Sequence, residues 1–174
     1  TDLIKEDLSH QETRAAVDLI IDRTRDLHER GKPKEVLTVD NHADGPYVWM
    51  RMKREDPKRA EEVFELLQYN EGNSSGRGIG CISWDGKVHA DQFWRDHTFG
   101  NVLERPFSQI WDDPQIELLH KLKDKKTHVK GRCAKCQFLN ICGGNFRARA
   151  EAYYGDEWAQ DPACYLTDEE IGIK

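Results

Sequence analysis

The sequence predicts an α/β chain: βα units of the kind that build (β/α) barrels, followed by a small α+β domain with a β-hairpin and a cysteine-bound metal centre. Three observations carry this. Helix, strand, polar loop and helix succeed one another before residue 70; Asp85 and Gly86 form a turn between two β-prone arms; and Cys133, Cys136, Cys142 and Cys164 stand in a C-x2-C-x5-C-x21-C spacing. A change of composition across Glu71 to Gly78 sets the boundary. The expected domains are therefore residues 1–70 and 71–174.

Ser9 and Glu12 form a capping-box signature, and Ala16, Val17, Leu19, Ile20, Ile21 and Leu27 recur at helical spacing until Gly31 stops the run. Lys34 to Asp40 is short, apolar and β-branched, which reads as a buried strand. A polar loop, Asn41 to Tyr47, follows the predicted strand end. In α/β barrels that position faces the reaction chamber, which makes His42 and Asp44 candidate functional residues; as turn formers, Asn41, Asp44 and Gly45 also suit a plain loop with His42 on the surface. Asp56 then caps a further helix, with Pro57 at its first position and Ala60, Val63, Phe64 and Leu67 along its apolar face.

The glycines between Gly72 and Gly78 do not make a phosphate loop, because no Gly-Lys-Ser/Thr ending follows. Ile79 to His89 reads as a hairpin around Asp85 and Gly86. Asp91 to His97 and Phe99 to Val102 extend it with an aromatic-rich surface. Pro106 to Trp111 and Pro114 to Leu122 read as short helices leading to the cysteines. Phe146 to Tyr154 reads as a helix ended by Gly155, the turn from Trp158 to Pro162 returns Cys164 to the cluster, and Thr167 to Lys174 reads as a polar tail.

The net charge of −6 argues against a general nucleic-acid binder. No run of 18 apolar residues suggests a membrane span. The opening residues hold no secretory h-region, and an odd cysteine count with a close C-x2-C pair suits thiols that bind metal in a reducing cytoplasm. A mean hydropathy of −0.82 leaves a thin apolar core, so a metal centre would add cross-links that packing alone does not supply. Lys121, Lys123, Lys125, Lys126, Lys130 and Arg132 precede the cysteines. They suit an exposed helix end, cations set against an anionic metal-thiolate centre, or cations that meet an acidic substrate.

Two thiolates three positions apart grip one centre from a tight turn, and two more from neighbouring segments complete a four-sulfur shell. Zinc and a 4Fe-4S cluster both accept four thiolates. A single C-x2-C knuckle with two lone cysteines suits the larger cubane better than the paired knuckles common in structural zinc sites.

Cys81 through Cys164 resembles the SPASM/twitch extension of radical S-adenosylmethionine enzymes. The resemblance rests on the Asp85–Gly86 hairpin, the run Phe99 to Val102, Ile110 with Trp111, and C-x2-C-x5-C. The first 70 residues look like the last βα units of that family's partial barrel. Longer strings, Leu37 to Tyr47, Gly72 to Ser75, Val88 to Trp94 and Trp158 to Gly172, resemble the branch that modifies sirohaem-derived tetrapyrroles in haem d1 and alternative haem biosynthesis.

A full extension of this kind carries further cysteines for a second auxiliary cluster. Here Asp91 and Phe146 stand in two of those places, and another falls near Gly72. The resemblance therefore implies one auxiliary 4Fe-4S cluster on Cys133, Cys136, Cys142 and Cys164, with Cys81 a packed thiol. With four protein ligands such a cluster has no open coordination position, which suits electron transfer or structure. The family's first cluster, on a C-x3-C-x2-C motif, cleaves S-adenosylmethionine to a 5'-deoxyadenosyl radical. No cysteine precedes Cys81, so S-adenosylmethionine and a second 4Fe-4S cluster are expected only in the complete enzyme, and this chain alone is expected to be inactive.

The implied partners are a tetrapyrrole substrate, the remainder of the barrel, and a reductant such as flavodoxin or ferredoxin, with no nucleic acid or membrane. His42, Asp44, Tyr47, His89, Asp91 and Trp94 are the expected substrate contacts; no catalytic residue is assigned. Two other classes fit less of the chain: a non-catalytic iron-sulfur or zinc module for electron transfer or docking, and a radical enzyme that modifies peptides.

Overall fold

The computed structural model describes residues 6–174. Helix α1, His10–Glu29, starts from the expected capping box, with the Ser9 hydroxyl bonded to the Glu12 backbone and the Glu12 carboxylate returning to the Ser9 N–H at 2.9 Å. Only Val17 is fully buried on it. Helix α3, Pro57–Asn70, begins as its sequence implies, with the Asp56 side chain accepting from Arg59 N at 3.1 Å.

Between them the sequence reading needs two corrections. Residues 32–39 form no strand: the segment pairs with no neighbour, and Leu37 is 85% exposed. An apolar β-branched run has strand propensity, but a strand exists only when another backbone takes its hydrogen bonds, and no described segment does. The expected barrel pattern is accordingly absent from the described residues. The loop predicted to run through Tyr47 instead enters helix α2, Asp44–Glu55. Gly45 and Pro46 read as turn residues, yet the first turn of a helix has no internal partners for its N–H groups, so proline costs nothing there.

The small sheet has three antiparallel strands in the order β1-β2-β3: β1 is Cys81–Ile82, β2 Lys87–His89 and β3 Gly100–Asn101. Cys81 faces His89 and Ile82 faces Val88, which puts Asp85 and Gly86 in the turn as expected. Helices α4, Phe107–Trp111, and α5, Glu117–Lys123, cover the sheet. Val88, Ala90, Trp94, Ile110, Leu119, Leu122 and Trp158 form a first core beneath it.

A second core joins Val17, Ala43 and Tyr47 of the N-terminal helices to Phe138, Ile141, Tyr165, Leu166 and Ile171. The final segment is therefore no free tail: Ile171 is buried, and Gln137 N donates to its carbonyl at 3.0 Å. The three short helices of the last third are α6, Gly131–Lys135, α7, Leu139–Cys142, and α8, Arg147–Tyr154. Among the described residues no helix is long and apolar enough to cross a membrane.

Arg14 locks this end to α1 through a two-pronged contact with Glu170, at 2.8 and 2.6 Å. Hydrogen bonds from Arg14 hold the Glu170 carboxyl down at about 2. The folded carboxyl is thus more acidic than the unfolded one, and its stabilisation is present above about pH 4.5 and lost as pH falls toward 2. Glu170→Gln should lower stability by about 1–2 kcal/mol at pH 6. In melting curves the gap between the two proteins should narrow below about pH 4.5 and close near pH 2.

Candidate metal centre and the groove beside it

Helix α6 carries Cys133, and its end turns Cys136 inward, with Cys136 N donating to Cys133 O at 3.2 Å and Phe138 N to Cys136 Sγ at 3.3 Å. One turn later α7 ends on Cys142. Gly143, Gly144 and Asn145 then take φ values of 62°, 78° and 59°. Three left-handed residues in a row reverse the chain at once, a conformation glycine and asparagine accept most readily.

Cys164 arrives on a loop organised by Asp161. That buried carboxylate accepts from Phe146 N at 2.9 Å, Ala163 N at 2.8 Å and Arg149 at 2.8 and 2.9 Å. The start of α8 and the Cys164 loop thereby share one anchor.

All four cysteines line one small cavity, walled by Ala43, Pro46, Phe138, Leu139 and Leu166. Cys133 packs on the first core and Cys136 and Cys164 on the second, so a bound centre would pin the two together. No three Cys, His, Asp or Glu side chains among the described residues converge closely enough to hold a single metal ion.

Burial pushes the Cys142 thiol up to about 12 and the Cys164 thiol up to about 11. Protonated thiols of this kind are ill suited to free nucleophilic chemistry, and a metal bound there would have to displace their protons. Cations surround the set. Arg132 lies beside Cys164 and Cys133, and Lys125 and Arg147 act on Cys142. Lys125 is only 4% exposed and donates to the Asn73 carbonyl and side chain. Its place in the basic run is thus an interior one, whereas Lys121, Lys123 and Lys130 sit near the surface on Glu117, Asp112 and Asp156. Cys81 lies on β1, outside the cavity wall.

Beside the cysteines runs a groove of about 240 Å³, lined by His42, Asn73, Ser75, Asp91, Phe93 and Phe146 among others. His42 stacks on Phe146 at 6.1 Å, and Phe93 meets the same ring edge-on at 5.8 Å. Asn145 joins groove to cavity: its side chain accepts from His42 N at 3.0 Å while it also walls the cysteines. Burial, aided by the Lys125 charge, lowers the His42 pKa and keeps the ring neutral.

Of the six expected contacts, the structure brings only His42 and Asp91 to this groove. Tyr47 lies in the second core and donates to Asp18 at 2.8 Å, and the buried Asp44 accepts from the core residue Tyr165 at 2.8 Å. His89 is buried between Ser83 and the His97 carbonyl, and Trp94 donates to Glu151 at 2.7 Å. Phe146 was not among the expected contacts. The signal for it lay in the cysteine spacing: Gly72, Asp91 and Phe146, at or near three positions where the resemblance would put second-cluster cysteines, all line this one groove.

The comparisons with known proteins agree with this centre. Residues 75–137 match the model of the SPASM iron-sulfur cluster-binding domain; the match includes Cys133 and Cys136, and the fold adds Cys142 and Cys164 to them. The chain carries a SPASM domain, and its resemblance to the radical S-adenosylmethionine enzymes with such an extension is borne out. More particularly, it is homologous to three haem-pathway synthases. It is 64% identical over 173 residues to an Fe-coproporphyrin III synthase of Methanosarcina barkeri, across 98% of this chain and 43% of that protein. It is 42% identical over 171 residues to a pre-heme d1 synthase of Dinoroseobacter shibae, across 96% of this chain and 42% of the relative. An AdoMet-dependent heme synthase of Methanosarcina barkeri is 40% identical over 125 residues, covering 68% of this chain and 34% of its own length. The chain thus spans less than half the length of these relatives. No solved structure matches it.

Proposed function

We propose that the chain is the auxiliary-cluster part of a longer radical S-adenosylmethionine enzyme that modifies the side chains of a sirohaem-derived tetrapyrrole. The observation that carries this is the link through Asn145, which lines the cavity of the four cysteines and accepts from the backbone N–H of His42 in the aromatic groove at 3.0 Å. Identity of 64% to an Fe-coproporphyrin III synthase supports Fe-coproporphyrin III as the product of the whole enzyme.

In this reading Cys133, Cys136, Cys142 and Cys164 hold one auxiliary 4Fe-4S cluster, which when bound supplies one-electron transfer to or from the substrate. The groove takes an edge of the tetrapyrrole where a fuller SPASM domain would carry its second cluster. Phe93, Phe146 and His42 offer ring faces to the macrocycle, and the neutral His42 imidazole is the form that binds iron. At about 240 Å³ the groove is smaller than the roughly 300–1,000 Å³ of closed ligand pockets; the remainder of the barrel completes it. In this reading residues 1–70 adjoin the barrel of the complete enzyme and 71–174 form the auxiliary domain. S-adenosylmethionine, its own 4Fe-4S cluster and the docking of flavodoxin or ferredoxin belong to the complete cytoplasmic enzyme.

The test is anaerobic turnover of the complete enzyme on sirohaem-derived substrates, with products identified by mass spectrometry. Fe-coproporphyrin III is the expected product. Modification of a cysteine or serine peptide, with sirohaem derivatives untouched, would overturn the reading. In the same enzyme His42→Ala should raise the Kd for the iron tetrapyrrole about tenfold, or about 1.4 kcal/mol. A titration of the Soret absorbance measures this, and an unchanged Kd would remove His42 from the substrate site.

A further inference from the structure

Arg147 is 1% exposed. A buried guanidinium is tolerated only when its N–H groups find acceptors. Nη1 donates to the carbonyls of Glu157 and Ala159 at 3.0 and 2.5 Å, and Nη2 to that of Gly144. Nε has no partner. Among the described residues it is the one buried side-chain nitrogen or oxygen in that state.

Its surroundings say what the missing acceptor is. The groups that act on the guanidinium charge are Cys133, Asp161 and Cys142. Asp161 is already committed to Phe146, Ala163 and Arg149. The sulfurs remain. Gly144 places the guanidinium beside them: its carbonyl accepts from Nη2, and Gly144 itself walls the cysteine cavity. A neutral thiol is a weak acceptor and a thiolate a strong one, so the orphan N–H finds its partner when the centre is loaded.

We propose that Arg147 is a positioning residue of the metal centre, whose Nε–H donates to the Cys133 thiolate and whose charge favours the cluster's reduced state. The inference rests on the cluster reading above. Hydrogen bonds to ligand sulfurs and nearby positive charge both stabilise the more negative, reduced form, and so raise its potential. Lys125 does not compete for the role, because its ammonium is already bonded to Asn73.

The test uses the anaerobically loaded protein with arginine labelled by ¹⁵N at Nε. Pulsed EPR of the reduced cluster should show a weak ¹⁵N coupling that is kept in Arg132→Lys and lost in Arg147→Lys. In an EPR-monitored redox titration, Arg147→Lys should shift the oxidised-to-reduced ratio about threefold toward oxidised at fixed potential, about 28 mV for one electron, with its iron content unchanged. No coupling in the wild type, or an unshifted ratio in a fully loaded variant, overturns the proposal. If Arg147→Lys fails to load iron, the wild-type coupling decides alone. A wild type that takes up no cluster overturns the metal-centre reading and this inference together.

Discussion

Cys142→Ala should leave the protein unable to hold its cluster, with iron falling from about four per chain to well below one. Cys142 ends α7 where Gly143 reverses the backbone, and the turn delivers its sulfur to the cavity wall. No nearby cysteine can replace it, since Cys81 sits on β1 outside that wall. Because the centre joins both cores, its binding energy is also folding energy. The iron-loaded wild type should therefore melt well above the metal-free protein, while loading should leave Cys142→Ala unchanged. Iron and sulfide analysis with paired melting curves checks both halves, and a variant that keeps a full cluster would remove Cys142 from the ligand set.

Gly72→Ala should be nearly as damaging, although residue 72 touches no predicted ligand through a side chain. Its φ of 69° is a conformation that disfavours any Cβ, and a Cβ there would collide with the backbone carbonyl of Cys142. That carbonyl already accepts from Asn73 N and Asn145 N, at 3.3 and 3.1 Å. It cannot retreat without dragging the ligand loop away. We expect a loss of more than about 3 kcal/mol and a cluster that loads incompletely. Chemical denaturation and iron content measure these. A substitution neutral in both would show that the close approach of residue 72 to the α7 turn has no role in placing Cys142.

What the sequence made legible was local. Ser9 with Glu12, Asp56 with Pro57, Asp85 with Gly86 and the C-x2-C pair each carry their structural reason within a few residues. What it hid depends on distant partners. Lys34 to Asp40 has every property of a strand except a neighbour, and Asp44 to Tyr47 becomes helix because Tyr47 docks on Tyr165, with ring centres 5.5 Å apart. Glu170 and Ile171 look like tail residues until Arg14 and Gln137 are seen beside them.

The site followed the same rule. Four cysteines in one spacing pointed to a metal centre, and the fold brings all four to one cavity. The groove residues were harder to separate from structural ones: Asp44 and Trp94 are the same residue types as Asp91 and Phe93, or close to them, and only packing decides which face the groove. The burial of Arg147 was not legible, because the carbonyls of Glu157 and Ala159 that hold it in the interior lie ten and more residues away.

The most direct test of the central claim is a count of iron and acid-labile sulfide per chain after anaerobic reconstitution, read beside low-temperature EPR of the reduced protein. Four cysteines around one cavity predict about four of each and a reducible cubane signal. One tightly held zinc per chain, with no sulfide and no EPR signal, would contradict it.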